Sequence, residues 1–126
     1  MILRRTVLLV EDESHCISTL EIAFDGDSEP RLAHTSTAEE ALLILDSTEI
    51  AAVITDIHLP SMDGFELIAR LRDQPRFARL PILVTSGDPD PASPERALSL
   101  GANAYFPKPY SPSAIRRKVK ELIHAT

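Results

Sequence analysis

Residues 6–13, Thr6-Val7-Leu8-Leu9-Val10-Glu11-Asp12-Glu13, run a strand-like apolar stretch directly into three acids. Ile17, Leu20 and Phe24 then repeat at helical spacing, so the chain opens with one strand and one helix. The same alternation returns along the rest of the sequence. Arg31 to Thr35 is a weaker strand. After it, Thr37 and Glu40 have capping-box spacing, and Ala38, Ala41, Leu42 and Leu45 mark one helix face. Ala51 to Thr55 is the third strand, followed by Leu67, Ile68 and Leu71 on a helix beginning near Gly64. Ile82 to Thr85 is the fourth, and a short helix starts at Pro94 with Ser93 as its N-cap. The last strand lies near Asn103 to Phe106, and Ile115, Val119, Leu122 and Ile123 recur on the final helix. Alternating units of this length predict an α/β fold, a doubly wound parallel sheet with helices on both faces.

The bulk properties agree with one such domain over residues 1–126. At 44% hydrophobic and 25% charged residues, the chain is neither disordered nor collagen-like. Its single cysteine, Cys16, excludes an internal disulfide, fits a reducing compartment, and lies among apolar neighbours of the first helix. The net charge of -6 argues against a nucleic-acid platform. Apolar runs such as Ala41-Leu42-Leu43-Ile44-Leu45 fall far short of the roughly 18 to 20 residues of a membrane span. The basic start, Met1-Ile2-Leu3-Arg4-Arg5, meets Glu11 too soon for a secretory signal. These features predict a cytoplasmic chain with no membrane insertion.

Six of the ten prolines, Pro89, Pro91, Pro94, Pro107, Pro109 and Pro112, fall within 24 residues. Pro89 and Pro91 bar regular helix before about Ser93, which predicts a long loop and a short fourth helix. Pro107 and Pro109 remove backbone donors at the end of the last strand, which suits an edge position.

Open parallel sheets bind ligands beyond the carboxyl ends of their strands. Glu11-Asp12-Glu13 follows the first strand, Asp56 the third, Ser86 the fourth and Lys108 the fifth. Crowded carboxylates repel one another, and a hard divalent cation bound through oxygen relieves the repulsion. Magnesium suits such a site, since it leaves positions open for water and phosphate oxygens. Asp56 can then act as a nucleophile toward a phosphoryl group, with Lys108 and Ser86 donating to its oxygens.

Four segments together resemble a response-regulator receiver domain, a resemblance that covers essentially the whole chain. They are Val7-Leu8-Leu9-Val10-Glu11-Asp12-Glu13, Thr55-Asp56-Ile57-His58-Leu59-Pro60-Ser61-Met62-Asp63-Gly64, Leu80-Pro81-Ile82-Leu83-Val84-Thr85-Ser86-Gly87 and Gly101-Ala102-Asn103-Ala104-Tyr105-Phe106-Pro107-Lys108-Pro109-Tyr110. The resemblance implies a flavodoxin-like (βα)5 three-layer sandwich with strand order 2-1-3-4-5. It makes Asp56 the phosphoacceptor, and Asp12 and Asp56 direct ligands of Mg2+. Glu11 acts on the ion through water, and the backbone carbonyl of His58 is a further ligand. Lys108 contacts the phosphoryl group across a Lys-Pro bond that the family often makes cis. Ser86 is the switch hydroxyl, with the adjacent Thr85 as the alternative, and Tyr105 is the aromatic switch.

The sequence departs from the family pattern in places. Its acidic pair is Glu-Asp, and His58 stands where the family's side chain faces the attacking water. The proline-rich loop disturbs a helix of the family's signalling face.

The resemblance implies a signalling module and no enzyme beyond its own phosphoryl transfer and dephosphorylation. Its donor is a sensor histidine kinase or histidine phosphotransfer protein, and its target a downstream protein whose identity the sequence leaves open. Arg116, Arg117, Lys118 and Lys120 oppose a single acid, Glu121, on the last helix. They form either a solvated outer face or a basic output surface. Two rivals remain at this stage. An aspartyl-nucleophile phosphatase resembles the chain less, because it places a second Asp where His58 stands. A receiver-like scaffold that is never phosphorylated is opposed by intact Asp12, Asp56 and Lys108. No nucleic acid is expected as a partner, and the chain is expected to be a monomer or weak dimer.

Overall fold

The computed structural model describes residues 5–26 and 30–125. Met1 to Arg4 and Thr126, the ends of the expected domain and most of its basic start, lie outside the described residues. Strands β1 (Thr6–Val10), β2 (Arg31–Thr35), β3 (Ala52–Asp56), β4 (Ile82–Ser86) and β5 (Ala104–Pro107) form one parallel sheet in the order β2-β1-β3-β4-β5. Helices α1 (Ser14–Ala23), α2 (Ala38–Ser47), α3 (Gly64–Arg72), α4 (Ser93–Leu100) and α5 (Pro112–Ile123) alternate with the strands. The doubly wound order expected is the one observed.

Strand alternation sorts the core into two layers. Leu8, Val10, Val53, Ile82 and Val84 meet α2, α3 and α4 through residues such as Ala41, Leu67, Ile68, Leu71 and Ala97. Val7, Leu9, Ile54 and Leu83 meet α1 and α5 through Leu20, Phe24, Ile115 and Val119. Each large aliphatic side chain fully covered in this way contributes about 1.5–3 kcal/mol. β3 and β4 are buried along their whole length, hence their unbroken apolar runs. β2 is a partly exposed edge strand, which accounts for its weaker pattern. None of the described helices is long and apolar enough to cross a membrane.

Several boundaries differ from expectation for identifiable reasons. β3 begins at Ala52 and β3 and β4 each run one residue further, so Asp56 and Ser86 end their strands. α4 starts at Ser93, and Ser93 is not its N-cap. The carboxylates of Asp88 and Asp90 accept from the Asp90 and Ala92 amides, both at 2.9 Å, and build the entry to the helix. The Ser93 hydroxyl instead donates back to Asp88 Oδ2 at 3.0 Å. The capping box of α2 is half formed. Thr37 accepts from the Glu40 amide at 3.1 Å, while the Glu40 carboxylate is taken by the Thr35 hydroxyl.

Candidate functional site

The sheet order places β1 and β3 side by side at its centre, so the residues that end them converge. Glu11 is 0% exposed, an expensive place for a carboxylate unless it is paired and hydrogen-bonded. It has both kinds of partner. Oε2 accepts from the amides of Asp12 and Glu13 at 3.1 and 3.2 Å. Oε1 faces Lys108 Nζ at 3.1 Å. Burial and the neighbouring charge of Asp56 nonetheless hold the Glu11 carboxyl above its ordinary pKa.

Lys108 also lies 3.4 Å from Asp56 Oδ2. Burial by itself would lower the pKa of the ammonium, but the Glu11 and Asp56 carboxylates outweigh it and hold the group above its usual range. In the parallel register Ser86 pairs with Pro107, and the amide of the next residue, Lys108, donates to Ser86 O at 2.7 Å, the regular bond of a parallel ladder. The Lys108–Pro109 bond is cis, as the resemblance implied.

Asp56 is held from behind. Its carbonyl oxygen accepts from the Thr55 hydroxyl at 2.9 Å. Gly64 packs so closely that a Cβ there would stand 2.3 Å from the same oxygen. The carboxylate faces the opposite requirement, because Oδ1 is buried without a hydrogen-bond partner. Carboxylate oxygens of Glu11, Asp12 and Asp56 lie within 4.8 Å of one another. An orphaned oxygen beside two further acids, one of them exposed, is a donor set that fits a hard divalent cation.

The two candidate hydroxyls separate by sheet face. Thr85 is the register partner of Asp56 and follows Leu83 of the α1/α5 layer at a two-residue spacing. Its Oγ1 is buried with no partner. Ser86 alternates with Val84 on the other face, where Tyr105 packs. Tyr105 pairs with Val84 in register, so Ser86 and Tyr105 share one side of the sheet. Ser86 Oγ accepts from the Asp88 amide at 2.9 Å.

His58 presents an exposed side chain whose Nε2 lies 3.4 Å from Asp88 Oδ2. The Asp88 carboxyl is held below its usual pKa, first by the Asp90 amide and also by Ser93 and His58. Sequence reasoning passed over Asp88 and Asp90. Their signal is the Asp88-Pro89-Asp90-Pro91 repeat, in which each carboxylate caps the amide two residues on. Cys16 is buried, as expected, and its thiol donates to Glu13 Oε2 at 2.6 Å.

The basic residues of α5 are not gathered at this site. Arg116, Arg117 and Lys120 line a hollow of about 450 Å³ with Ala23 of α1 and Ser113. Lys118 pairs with Glu121 at 3.2 Å. No α4 residue lines that hollow.

Comparison with known proteins bears on the same residues. The family model "Response regulator receiver domain" matches residues 7–120. The gliding motility regulatory protein of Myxococcus xanthus is 33% identical over 109 residues, which cover 83% of this chain and 13% of that protein. The transcriptional regulatory protein GltR of Pseudomonas aeruginosa is 30% identical over 119 residues, covering 94% of this chain and 49% of that one. The chain thus spans half or less of the length of these two curated relatives. A crystal structure from Chloroflexus aurantiacus, assigned to the response regulators, superposes with a TM-score of 0.88 at 30% identity, covering 96% and 98% of the two chains. With the match running from β1 into α5, the chain belongs to the response regulator receiver domain family.

Proposed function

We propose that the chain accepts a phosphoryl group on Asp56, with Mg2+ present, from a phosphohistidine of a sensor histidine kinase or histidine phosphotransfer protein. The observation that carries this is Asp56 Oδ1, buried without a partner while the other oxygen faces Lys108. In the transfer a carboxylate oxygen of Asp56 forms the new P–O bond. The P–N bond of the donor breaks, and its electron pair stays on the imidazole.

Asp12 and Asp56 would hold the ion directly, Glu11 through water, and the His58 backbone carbonyl would complete the set. Bound there, Mg2+ neutralises phosphoryl charge. Glu11 keeps Lys108 in place through their 3.1 Å contact, and Lys108 adds a cation to the phosphoryl oxygens. The Ser86 hydroxyl donates to a phosphoryl oxygen, and Tyr105, on the same sheet face, responds. The module signals by protein interaction in the cytoplasm, as a monomer or weak dimer. Its partner is a protein and not nucleic acid, in keeping with the net charge of -6.

The test is incubation with acetyl phosphate and Mg2+ followed by intact mass. One added phosphoryl is expected on the wild type, and none on Asp56→Asn or after chelation with EDTA. An unmodified wild type would remove the proposal.

A further inference from the structure

The peptide group between Glu11 and Asp12 is held on both of its sides. Its N–H, on Asp12, donates to Glu11 Oε2 at 3.1 Å. Its carbonyl, Glu11 O, accepts from His34 Nε2 at 2.9 Å. A carbonyl only accepts, so Nε2 carries the hydrogen of this contact, in the neutral and the protonated ring alike.

Strand register brings the imidazole there. His34 pairs with Leu9 across the parallel β1–β2 ladder, and Glu11 follows Leu9 at a two-residue spacing, so the three share a sheet face. The next ladder bond runs from the Glu11 amide to Thr35 O at 3.0 Å. The last two residues of β2 thus hold both backbone polar groups of Glu11. His34 itself is exposed, on a strand at the edge of the sheet, where packing does not call for an imidazole.

The carboxylates of Glu11 and Asp12 are placed by different means. That of Glu11 is fixed by two amides and by Lys108. Asp12 is exposed, yet one of its carboxylate oxygens lies within 4.8 Å of those of Glu11 and Asp56. Its place follows from the backbone that presents it, and two like charges oppose it there before any cation arrives. A peptide able to turn would let Asp12 swing out into water.

We infer that His34 is a positioning residue for the cation site, whose hydrogen bond to Glu11 O locks the peptide that presents Asp12 and so raises the affinity for Mg2+. The inference rests on the reading of Asp12 and Asp56 as ligands of the ion. His34 bonds the backbone and not a carboxylate oxygen, so it acts on the ion only through Asp12. Groups behind a metal ligand act in this way, by holding it in the orientation that the ion selects. A ligand already ordered has less freedom to lose when the ion binds.

Titration of the whole chain with Mg2+, followed by amide chemical shifts, tests this, together with the rate of phosphorylation by acetyl phosphate across a range of Mg2+ concentrations. His34→Ala is expected to weaken Mg2+ binding about three- to tenfold, the loss of one hydrogen bond. Its phosphorylation rate is expected to reach the wild-type value once Mg2+ saturates, since Asp56 and Lys108 are unchanged. His34→Gln, which has no charge but keeps an N–H at similar reach, is expected to bind Mg2+ as the wild type does. Wild-type affinity in His34→Ala overturns the inference. So does a loss in His34→Gln equal to that in His34→Ala, which assigns the effect to the ring or its charge. A His34→Ala rate that stays low at saturating Mg2+ also overturns it, by placing the defect in the transfer. If His34→Ala does not fold, His34→Val, a strand former without a donor, is measured in its place. A wild type that binds no Mg2+ shows instead that the reading of the acidic cluster has failed, and the role of His34 falls with it.

Discussion

Lys108 Nζ lies 3.1 Å from Glu11 Oε1, nearer than the 3.4 Å that separates it from Asp56. The lysine is therefore the counter-charge of a fully buried acid as well as a group aimed at the acceptor. Lys108→Met would leave Glu11 buried and unpaired, which is expected to cost about 3 kcal/mol in urea unfolding. Adding Glu11→Gln is expected to recover part of that loss. A penalty below about 1 kcal/mol would mean that solvent screens the pair.

Thr85 and Ser86 are adjacent hydroxyls with opposite expected outcomes. Thr85 Oγ1 is buried and unpartnered, so Thr85→Val removes an unsatisfied group at nearly constant shape. It is expected to stabilise the fold by about 1 kcal/mol and to leave phosphorylation by acetyl phosphate intact. Ser86→Ala is expected to slow phosphorylation by acetyl phosphate, followed by intact mass. Reversal of the two phenotypes would move the switch to Thr85.

Gly64→Ala brings a methyl group to within 2.3 Å of Asp56 O and 2.8 Å of Ile57 Cα. Neither is the end of a flexible side chain, so backbone has to shift. Overpacking of this kind is expected to cost about 1–3 kcal/mol, read as a lower midpoint in thermal unfolding. Because the atom displaced is the carbonyl of Asp56, phosphorylation is also expected to slow. A variant with wild-type stability and rate would mean that the loop before α3 has slack.

Burial, and then the hydrogen bond to Glu13, push the Cys16 thiol from 9.0 up to about 11. The fold thus prefers the neutral thiol. The stability this contributes is complete below the unfolded pKa and is lost as pH rises from about 9 toward about 11. At pH 8 the native protein holds about a hundredfold less thiolate than the urea-unfolded chain. Iodoacetamide should therefore label Cys16 correspondingly more slowly in the native state. Equal rates in the two states would contradict the burial and the contact with Glu13.

The parts legible in the sequence are those carried by short-range pattern. Apolar runs such as Val7 to Val10, together with the position of each acid or base at a strand end, gave the sheet and the gathering of Glu11, Asp12, Asp56 and Lys108. Strand order came from resemblance, because nothing local distinguishes 2-1-3-4-5 from other orders. The remainder depended on partners distant in sequence. Arg72 reads as one more surface charge on α3 until Gly101 and Asn103, 29 and 31 residues away, are placed against it. Ser93 looked like a cap because Ser-Pro is a good helix start, and it was displaced by two aspartates already building the entry. Thr85 and Ser86 take opposite faces by alternation with Leu83 and Val84, but which of those faces meets α1 and α5 is decided only when the helices pack.

The ladder bond that closes β5 makes the length of that strand part of the site. Lys108 is bonded through its backbone to Ser86 O, so cation and hydroxyl stand on one shared link between the last two strands. Removing or inserting a single residue here would carry the ammonium about 3.3 Å along the strand direction and turn it to the other face of the sheet, out of reach of both acids, although every side chain of the cluster remained. A change of length at this one point thus removes the chemistry without altering any group that performs it.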